Sequence, residues 1–401
     1  MHAIVLGAGV VGVTTAYYLA ERGCRVTVID RDTDVGNGTS RANGGQLSYS
    51  FTDSLARPEF LSKIPALLAG RDNTSHIRVS RRLIPWGSRF LMQCTSQRSR
   101  TNTMALLDMA MRSAELMPEL RQKISSDFSY RKAGKLVLMT DPDDLRTAEQ
   151  STKRKQEHGC PVELVSRADA LAVEPALAEF DEPFEAAVYS REDEVTDAHE
   201  FVVGLRNYLE TTHKVEFRLG TAVNKLIRSN GRVTGVAGDD RLDADVVVVC
   251  LGPWSGDLLR GVGLKSNIFP VRGYSVTLPV GTDSPSVSIT SLRNRFVFSR
   301  LNGNMRIAGF ADFNGFDTRN DADRVRTLVD TARRVAPGAA DYLCEQQQAW
   351  GGFRPMTPSG QPMVGPTRLD GLYVNTGHGM LGLTLAAATG EAVSQSILGD
   401  S

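Results

Sequence analysis

The sequence predicts a two-domain protein of mixed α/β (α+β) class, with a parallel sheet assembled from discontinuous segments and a second, antiparallel sheet. A strand–helix–strand unit opens the chain within residues 1–30. Apolar strands at 246–251 and 371–375 end, like the first strand, in glycine-rich turns. Residues 268–310 alternate apolar and polar side chains with the period of two that is typical of antiparallel strands. Together these patterns favour two sheets built from distant parts of the chain.

The opening unit carries a glycine motif. A short apolar strand at residues 3–6 leads directly into Gly7-x-Gly9-x-x-Gly12. Gly7 allows the tight turn, Gly9 lets the backbone approach a pyrophosphate, and Gly12 lets the following helix pack closely on the sheet. The free N–H groups at the start of that helix would face the phosphate anion. The unit therefore predicts a Rossmann-like dinucleotide site rather than a glycine-rich turn without a ligand.

An acidic residue completes the opening unit. Its second strand, residues 25–29, ends at Asp30, whose carboxylate is placed to accept hydrogen bonds from ribose hydroxyls. An acidic group there disfavours a cofactor with a 2′-phosphate, although the adjacent Arg31 weakens that argument.

The bulk composition excludes several classes of protein. Lys plus Arg and Asp plus Glu number 46 each, so the net charge argues against nucleic acid as a partner. No stretch approaches the roughly 18 apolar residues of a membrane span, and the first strand begins without a leader, so a cytoplasmic location is expected. The 5 cysteines and 6 histidines are scattered without metal-ligand spacing, so no metal site is expected.

Periodicity and turn residues place the remaining elements. Helices are predicted over residues 55–70, 80–93, 103–124, 143–158, 167–172, 198–211 and 321–335. Strands are predicted at residues 135–139, 215–219, 224–229, 232–237, 269–279, 287–290, 296–299 and 305–310. Pro58, Pro65 and Pro85 are expected to break the first two helical stretches. Asp197 is the expected N-cap of the helix at 198–211, and Asn230-Gly231 indicates a type I′ hairpin turn.

The order of the elements predicts the domains. The nucleotide-binding domain is expected to comprise residues 1–85, 160–262 and 345–401, and the substrate-binding domain residues 86–159 and 263–344. The crevice between them is the expected ligand site. Because the last glycine-rich turn lies near the C-terminus, the chain returns to its cofactor. That path favours a large cofactor held between two domains, FAD, over a nicotinamide cofactor bound by one continuous half.

Six segments spread over nearly the whole chain carry a family resemblance. They are residues 3–12, Thr39-Ser40-x-Ala42-Asn43-x-Gly45-Gln46, and residues 174–177, 270–275, 352–360 and 375–382. In order and spacing they resemble the D-amino acid oxidase superfamily of FAD-dependent oxidoreductases, and within it most closely the bacterial D-amino acid dehydrogenases. One departure is the tail after the last helix, which is shorter than in the closest members.

The resemblance implies a set of FAD-binding residues. These are Gly7, Gly9, Gly12, Asp30, Arg31, Ser40, Asn43, Gly45, Gln46, Gly252, Gly377, His378, Gly379, Gly382 and Thr384. Ser40, Asn43 and Gln46 are expected to orient the flavin by side-chain hydrogen bonds. The last glycines open a helix whose N-terminus would stabilise the negative charge of the reduced ring. His378 either faces the flavin or caps the turn, and Trp254 is expected to pack near the nucleotide.

Two residues are expected to bind the substrate. The resemblance places Arg354 where the family binds a carboxylate, and a planar guanidinium can hold a carboxylate by two parallel bonds. The alternative is a salt bridge between the domains. The Tyr274 hydroxyl would donate to the same carboxylate, unless this tyrosine belongs to the core. Ser48 and Tyr49 line the same cleft or are plain loop residues.

The resemblance implies FAD-dependent oxidative deamination of a D-amino acid. A hydride would pass from Cα to flavin N5, and the imino acid would hydrolyse to a keto acid and ammonia. Oxidation of secondary amines (D-proline, hydroxyproline, sarcosine) or of glycine is the main alternative, and a 2-hydroxy acid is a third substrate class. A flavin-carrying subunit of a larger dehydrogenase complex is the alternative outside this class.

The sequence alone does not indicate the electron acceptor. The resemblance associates such dehydrogenases with quinones at the inner face of the cytoplasmic membrane. Residues 78–92 interleave Arg81, Arg82 and Arg89 with apolar side chains that include Trp86. This pattern predicts either a basic amphipathic surface for lipid headgroups or a partly buried helix with solvated arginines.

Overall fold

The computed structural model describes residues 1–319 and 321–399. Its helices are α1 (Val10–Glu21), α2 (Pro58–Leu68), α3 (Leu83–Gln93), α4 (Ser96–Gln122), α5 (Pro142–Glu157), α6 (Arg167–Val173), α7 (Ala198–Thr212), α8 (Ser255–Arg260), α9 (Asp321–Val335) and α10 (Gly382–Leu398). Its strands are β1 (His2–Leu6), β2 (Arg25–Ile29), β3 (Gln46–Leu47), β4 (Lys135–Met139), β5 (Glu163–Ser166), β6 (Ala186–Ser190), β7 (Glu194–Val195), β8 (Glu216–Arg218), β9 (Lys225–Ser229), β10 (Arg232–Ala237), β11 (Arg241–Asp243), β12 (Val246–Val249), β13 (Phe269–Pro279), β14 (Ser288–Ser291), β15 (Phe296–Leu301), β16 (Asn304–Asp312), β17 (Gln348–Met356), β18 (Met363–Pro366) and β19 (Leu372–Thr376).

The first sheet has the strand order β18-β19-β12-β1-β2-β8, and every pair except β18–β19 is parallel. Residues 3–6 of β1 and 246–249 of β12 are buried, as expected for parallel strands that are covered on both faces. From β1 the chain passes to β2 on one side, whereas β12 and β19 join on the other side. The prediction that three distant strands lie side by side is therefore confirmed.

The second sheet has the order β17-β13-β16-β15-β14-β4-β6-β5, with β14 and β4 its parallel pair. Leu328 and Ala332 of α9 pack with Val276 and Ile307 on one face. The other face includes Ser275, whose hydroxyl donates to a carbonyl of the loop that follows the opening unit (2.6 Å). This face is therefore turned toward the first sheet. The mixed α/β class and the second sheet are confirmed.

Local turn and capping signals were reliable. Oδ1 of Asp197 accepts hydrogen bonds from the N–H groups of His199 (2.9 Å) and Glu200 (3.1 Å), which confirms the N-cap of α7. Asn230 and Gly231 have φ angles of 50° and 81°, as a type I′ turn between β9 and β10 requires.

The prediction that prolines break the first helices is wrong. Pro58 is the first residue of α2, where a missing N–H costs nothing, and Pro85 lies in the first turn of α3. Pro65 lies inside α2, which continues past it for one turn.

Seven strands escaped the sequence prediction, namely β3, β5, β6, β7, β11, β17 and β18. Three of them, β5, β6 and β17, bear on the predicted domains. All three belong to the second sheet, although they fall within ranges expected in the nucleotide-binding domain. The division into domains stays a prediction, and its boundaries do not follow sheet membership at these strands.

Helix α3 buries one face and exposes the other. Trp86 and Phe90 pack together (ring centroids 5.1 Å apart), and the indole N–H donates to the carbonyl of Met356 (2.9 Å). Both rings are buried, which fits the alternative of a partly buried helix and leaves only the other face of α3 open to a membrane. Ile84 and Leu91 lie on the exposed face. Across the described residues, 1–319 and 321–399, no helix is both long and apolar enough to cross a membrane.

Candidate functional site

A cleft of about 820 Å³ opens at the carboxyl ends of β1, β12 and β19 and extends over the second sheet. Its volume falls within the roughly 300–1,000 Å³ typical of ligand sites. The chain leaves β1 through α1 to the neighbouring strand β2, whereas β12 leads through α8 to the second sheet. Open α/β sheets bind ligands in the crevice at the carboxyl ends of such strands. The position of the cleft therefore agrees with the expected crevice.

Most of the predicted site residues meet at this cleft. Those that line it are Gly7, Gly9, Asp30, Arg31, Ser40, Asn43, Gly45, Gln46, Gly252, Tyr274, Arg354, His378, Gly379, Gly382 and Thr384. Gly12 and Gly377 lie outside its lining. The fold brings these residues together at one cleft, but the contact of each with a cofactor or substrate stays a prediction.

The three glycines of the opening motif are needed for different physical reasons. Gly7 has φ of 108°, and a Cβ on it would lie 2.6 Å from the carbonyl oxygen of Cys250. A Cβ on Gly12 would overlap the carbonyl of Gly7. A Cβ on Gly9 would meet nothing closer than Oγ of Ser40, at 3.5 Å. Packing therefore explains Gly7 and Gly12, whereas the open space at Gly9 fits the close approach of a pyrophosphate to the start of α1.

Asp30, the acidic residue of the opening unit, also stabilises the glycine-rich turn. Oδ2 of Asp30 accepts a hydrogen bond from the N–H of Ala8 (2.6 Å), and Oδ1 accepts from the N–H of Asp32 (2.9 Å). Burial raises the pKa of Asp30. Beside it, the guanidinium of Arg31 lies 4.2 Å from the ring centroid of Trp254, which lines the cleft as well. Contact of Asp30 with a ribose stays a prediction.

Residues 39–48, the crossing segment, tie the two sheets together. The hydroxyl of Thr39 donates to the carbonyl of Phe353 on the second sheet (2.7 Å). At its other end the N–H of Ser48 donates to the Thr384 hydroxyl at the start of α10 (3.1 Å). The segment therefore forms part of the cleft wall between the opening unit and both sheets.

Three side chains of the crossing segment were predicted to orient the flavin. Oγ of Ser40 accepts from the first N–H of α1, that of Val10 (3.1 Å). Oδ1 of Asn43 accepts from the N–H of Gly45 (2.9 Å), and Gln46 bonds to Ser288. These bonds hold the segment in place, and its contacts with a flavin stay a prediction.

The last glycine-rich turn leads into α10. The His378 ring is buried, and its Nε2 lies 3.0 Å from the hydroxyl of Thr389 within α10. Burial lowers the pKa of His378 to about 3, so the ring is neutral at pH 7. Of the two alternatives for His378, this bond favours the structural one. Nearby, Oδ1 of Asn375 is buried, lines the cleft and has no partner within the described residues, which fits a ligand that donates a hydrogen bond.

Arg354 reaches the cleft from β17. Its guanidinium lies against Gly273, where a Cβ would collide with it, and donates to the carbonyls of Phe310 and Gly309. Unlike Arg272 on the neighbouring strand, which pairs with Asp321, Arg354 forms no ion pair in the part of the chain that the structure describes. Loss of hydration lowers its pKa to about 10, so the group stays charged at pH 7. An unpaired guanidinium in a ligand cleft can bind a carboxylate.

Tyr274 is arranged differently from Arg354. Its hydroxyl donates to Oδ2 of Asp312 (2.9 Å), which also accepts from Nε of Arg324 (2.8 Å). Burial and the Asp312 charge raise the pKa of Tyr274. The ring belongs to the core of the second sheet, so this geometry supports the core alternative. Tyr49 is similar, because its buried hydroxyl donates to Glu194 (2.9 Å).

Sequence reasoning missed several polar groups of the cleft. Lys135 and Thr290 line it, as does Trp350, and the Thr290 hydroxyl and the Trp350 indole N–H are buried without a partner within residues 1–319 and 321–399. Lys135 precedes an apolar run and so resembles an ordinary polar flank of a strand. Only the pairing of β4 with β14 places it in the cleft. No cluster of three or more His, Cys, Asp or Glu side chains suited to a metal ion occurs among the described residues.

Comparison with known proteins gives consistent matches. A family model described as FAD dependent oxidoreductase (DAO) matches residues 2–396. D-amino acid dehydrogenase 2 of Ralstonia nicotianae is 37% identical over 99% of this chain and 96% of its own length. The solved glycine oxidase of Bacillus cereus superposes with a TM-score of 0.76 at 20% identity, covering 100% of this chain and 95% of that one. L-proline dehydrogenase of P. horikoshii gives 0.74 at 20% identity, covering 99% and 93%.

Replacing Gly9 by Ala should separate cofactor binding from folding. The added Cβ has room in the protein but occupies the space over the start of α1, so we expect at least about tenfold weaker FAD binding, equivalent to about 1.4 kcal/mol. Unfolding of the FAD-free protein should change by less than about 1 kcal/mol, the usual scale of an N-cap change. Flavin fluorescence titration and denaturant unfolding measure the two effects.

Gly12→Ala is the matched control, because its Cβ overlaps the Gly7 carbonyl and should destabilise the fold itself. Unchanged FAD affinity in Gly9→Ala would contradict the assignment of the pyrophosphate position.

Proposed function

Because this chain belongs to the DAO family of FAD-dependent oxidoreductases, we propose that it deaminates a D-amino acid oxidatively. Membership confirms the family resemblance and the prediction of FAD as cofactor. The relative that is 37% identical over nearly its whole length is a D-amino acid dehydrogenase, which supports this substrate class. The observation that carries the proposal is the unpaired guanidinium of Arg354 in the cleft.

Arg354 provides the recognition of the substrate's carboxylate. Two parallel bonds from a guanidinium fix both the position and the plane of a carboxylate, and so the direction of the Cα–H bond. The carbonyls of Gly309 and Phe310 hold the guanidinium in place before substrate arrives. We assign the binding and orienting step to this residue, and the orientation is its contribution to catalysis.

The amine must be neutral when the Cα–H bond breaks, because its lone pair forms the new C=N bond. In the cleft the ammonium form would lie near the Arg354 cation and away from bulk water, and both effects lower an amine pKa. The proton then leaves to solvent, so no side-chain base is needed. Bound FAD supplies a two-electron acceptor for the hydride from Cα. The imino acid that remains is hydrolysed by water to a keto acid and ammonia.

Two alternatives differ from this proposal in substrate or in context. Glycine oxidase and L-proline dehydrogenase share the fold at 20% identity, and a carboxylate site at Arg354 would serve a secondary amine equally well. A chain that carries flavin within a larger complex would bind FAD and need its partners for turnover.

An anaerobic reduction screen tests the function. We expect D-amino acids to bleach the flavin absorbance of the isolated chain, with L-enantiomers at least about tenfold slower. Faster bleaching by sarcosine, D-proline or hydroxyproline would instead favour the secondary-amine alternative. Absence of bleaching by every amine, with dithionite still effective, would contradict catalysis by the isolated chain.

Replacing Arg354 should remove the carboxylate site without removing the flavin. We expect Arg354→Met to lose about 2–4 kcal/mol of transition-state stabilisation, roughly 30- to 1,000-fold in kcat/KM. Arg354→Lys should recover little of this, because an ammonium cannot form the parallel pair of bonds. Stopped-flow flavin reduction measures the effect, and an unchanged flavin content excludes misfolding. A loss below about threefold in both variants would count against the assignment.

For the electron acceptor we propose a quinone reached at a membrane surface. The exposed face of α3 presents Ile84 (62% exposed) and Leu91 (46% exposed). Arg81 and Arg89 on the same stretch are exposed as well. Apolar side chains among arginines match the interface of an anionic bilayer, where both burial and charge contribute to binding.

Vesicle binding tests this surface. Ile84→Asp combined with Leu91→Asp should weaken binding to phosphatidylglycerol vesicles at least about tenfold, since two apolar side chains no longer enter the interface. Leu343→Asp is the control, because Leu343 is 78% exposed outside α3. Co-sedimentation measures the binding. Equal binding of all three proteins would remove the proposed surface.

A further inference from the structure

A buried lysine lies in the wall of the cleft. Lys135 begins β4 and is only 2% exposed. Its ammonium donates to Oε1 of Gln46 (2.9 Å) and to Oγ of Ser48 (2.7 Å), both in the crossing segment. The ring centroid of Phe51 lies 4.6 Å from the ammonium nitrogen. Because an ammonium has three N–H donors, these two bonds leave one for a ligand in the cleft.

No direct ion pair neutralises Lys135 in the part of the chain that the structure describes. The charged groups that act on it are Asp193 and Lys155. Asp193 already accepts from the N–H groups of Tyr49 (3.1 Å) and Ser50 (3.3 Å), and Lys155 pairs with a different carboxylate. Burial lowers the pKa of Lys135, and an anion bound beside it would oppose that shift.

A second polar group lies next to Lys135 on the same face of the sheet. Lys135 pairs with Ser288 and Val137 pairs with Thr290, so Lys135 and Thr290 project to the same side of the sheet from neighbouring strands, two residues apart in register. Thr290 is 6% exposed, and its hydroxyl has no partner among the described residues. A buried hydroxyl without a partner is unfavourable unless a ligand bonds to it.

The distance to Arg354 sets the size of the ligand. The guanidinium of Arg354 bonds to carbonyls of β16, and Thr290 lies on β14, with β15 between them. Two strand spacings amount to about 10 Å between the backbones of β16 and β14, and Lys135 lies on β4, one spacing further. The two carboxylates of an extended glutamate are roughly 5 Å apart, and a hydrogen bond of about 2.9 Å at each end covers the remainder. Arg295, in the turn before β15, is already paired with Asp72 (2.9 Å).

We propose that the Lys135 ammonium and the Thr290 hydroxyl form a second anion site that binds the side-chain carboxylate of the substrate, so that the preferred substrates are acidic D-amino acids of glutamate length. The inference rests on the proposed function, because Arg354 must hold the other carboxylate. The oxidation itself is unchanged, since the second site only anchors the distal end. Asp193 and Lys155, which are not among the residues that line the cleft, act on the charge of Lys135.

The decisive comparison is D-glutamate with D-glutamine, which match in size and differ in charge. In the wild-type holoenzyme we expect kcat/KM for flavin reduction to be at least about tenfold higher with D-glutamate. Lys135→Met should lower this ratio by at least about tenfold, Thr290→Val should lower it less, and Lys135→Arg should retain most of it. A wild-type ratio near one, or equal losses on both substrates in Lys135→Met, would overturn the site.

Binding of unreactive acids tests the site without turnover. Titration of the flavin spectrum should give a dissociation constant for glutarate at least about tenfold lower than that for pentanoate in the wild type. This difference should vanish in Lys135→Met. Retained flavin content and thermal unfolding show that the variant folds. Glutarate no tighter than pentanoate would refute the second anion site. If no D-amino acid reduces the flavin but glutarate keeps its advantage, the proposed function fails and the anion site stands.

Discussion

The architecture depends on the parallel pairing of β1 with β12. Residues 3–6 lie in register with residues 246–249 at the centre of the first sheet, where both strands are buried. This pairing brings the carbonyl of Cys250 against Gly7, and the neighbouring strand β19 delivers the turn before α10 to the same edge. If the register slipped by one residue, every side chain of β12 would change face and the glycine turns would no longer meet.

The crossing segment, residues 39–48, connects this arrangement to the second sheet through hydrogen bonds. Its ends bond to α1 and α10, and its middle bonds to β13, so the cleft has a wall in common with both sheets. The same segment accepts the bonds of Lys135 through Gln46 and Ser48. If the predicted flavin contacts of this segment form, a residue that positions the flavin also limits the movement of the proposed substrate site.

Sequence reasoning succeeded where the signal was local. The glycine motif, the Asp197 cap and the Asn230-Gly231 turn each depend on a few adjacent residues, and the structure confirms the elements that they mark. It failed where tertiary packing decides. Pro65 is accommodated inside α2, and the tyrosine at 274 bonds to Asp312 behind the sheet, which no local pattern reveals. The importance of Lys135 depends on a parallel pairing between strands some 150 residues apart, which a sequence pattern does not encode.

The long separation between β1 and β12 also affects how the protein is made. The ribosome adds roughly 5–20 residues per second, so β1 emerges at least about 12 s before its neighbour β12 can pair with it. During that interval one edge of β1 is open to association with other nascent chains or with chaperones. Because the start of α10 lines the same cleft as the opening glycine motif, the complete cleft forms only after α10 has emerged. A flavin that needs both glycine-rich turns would therefore bind after α10 is made, and not while the opening unit stands alone.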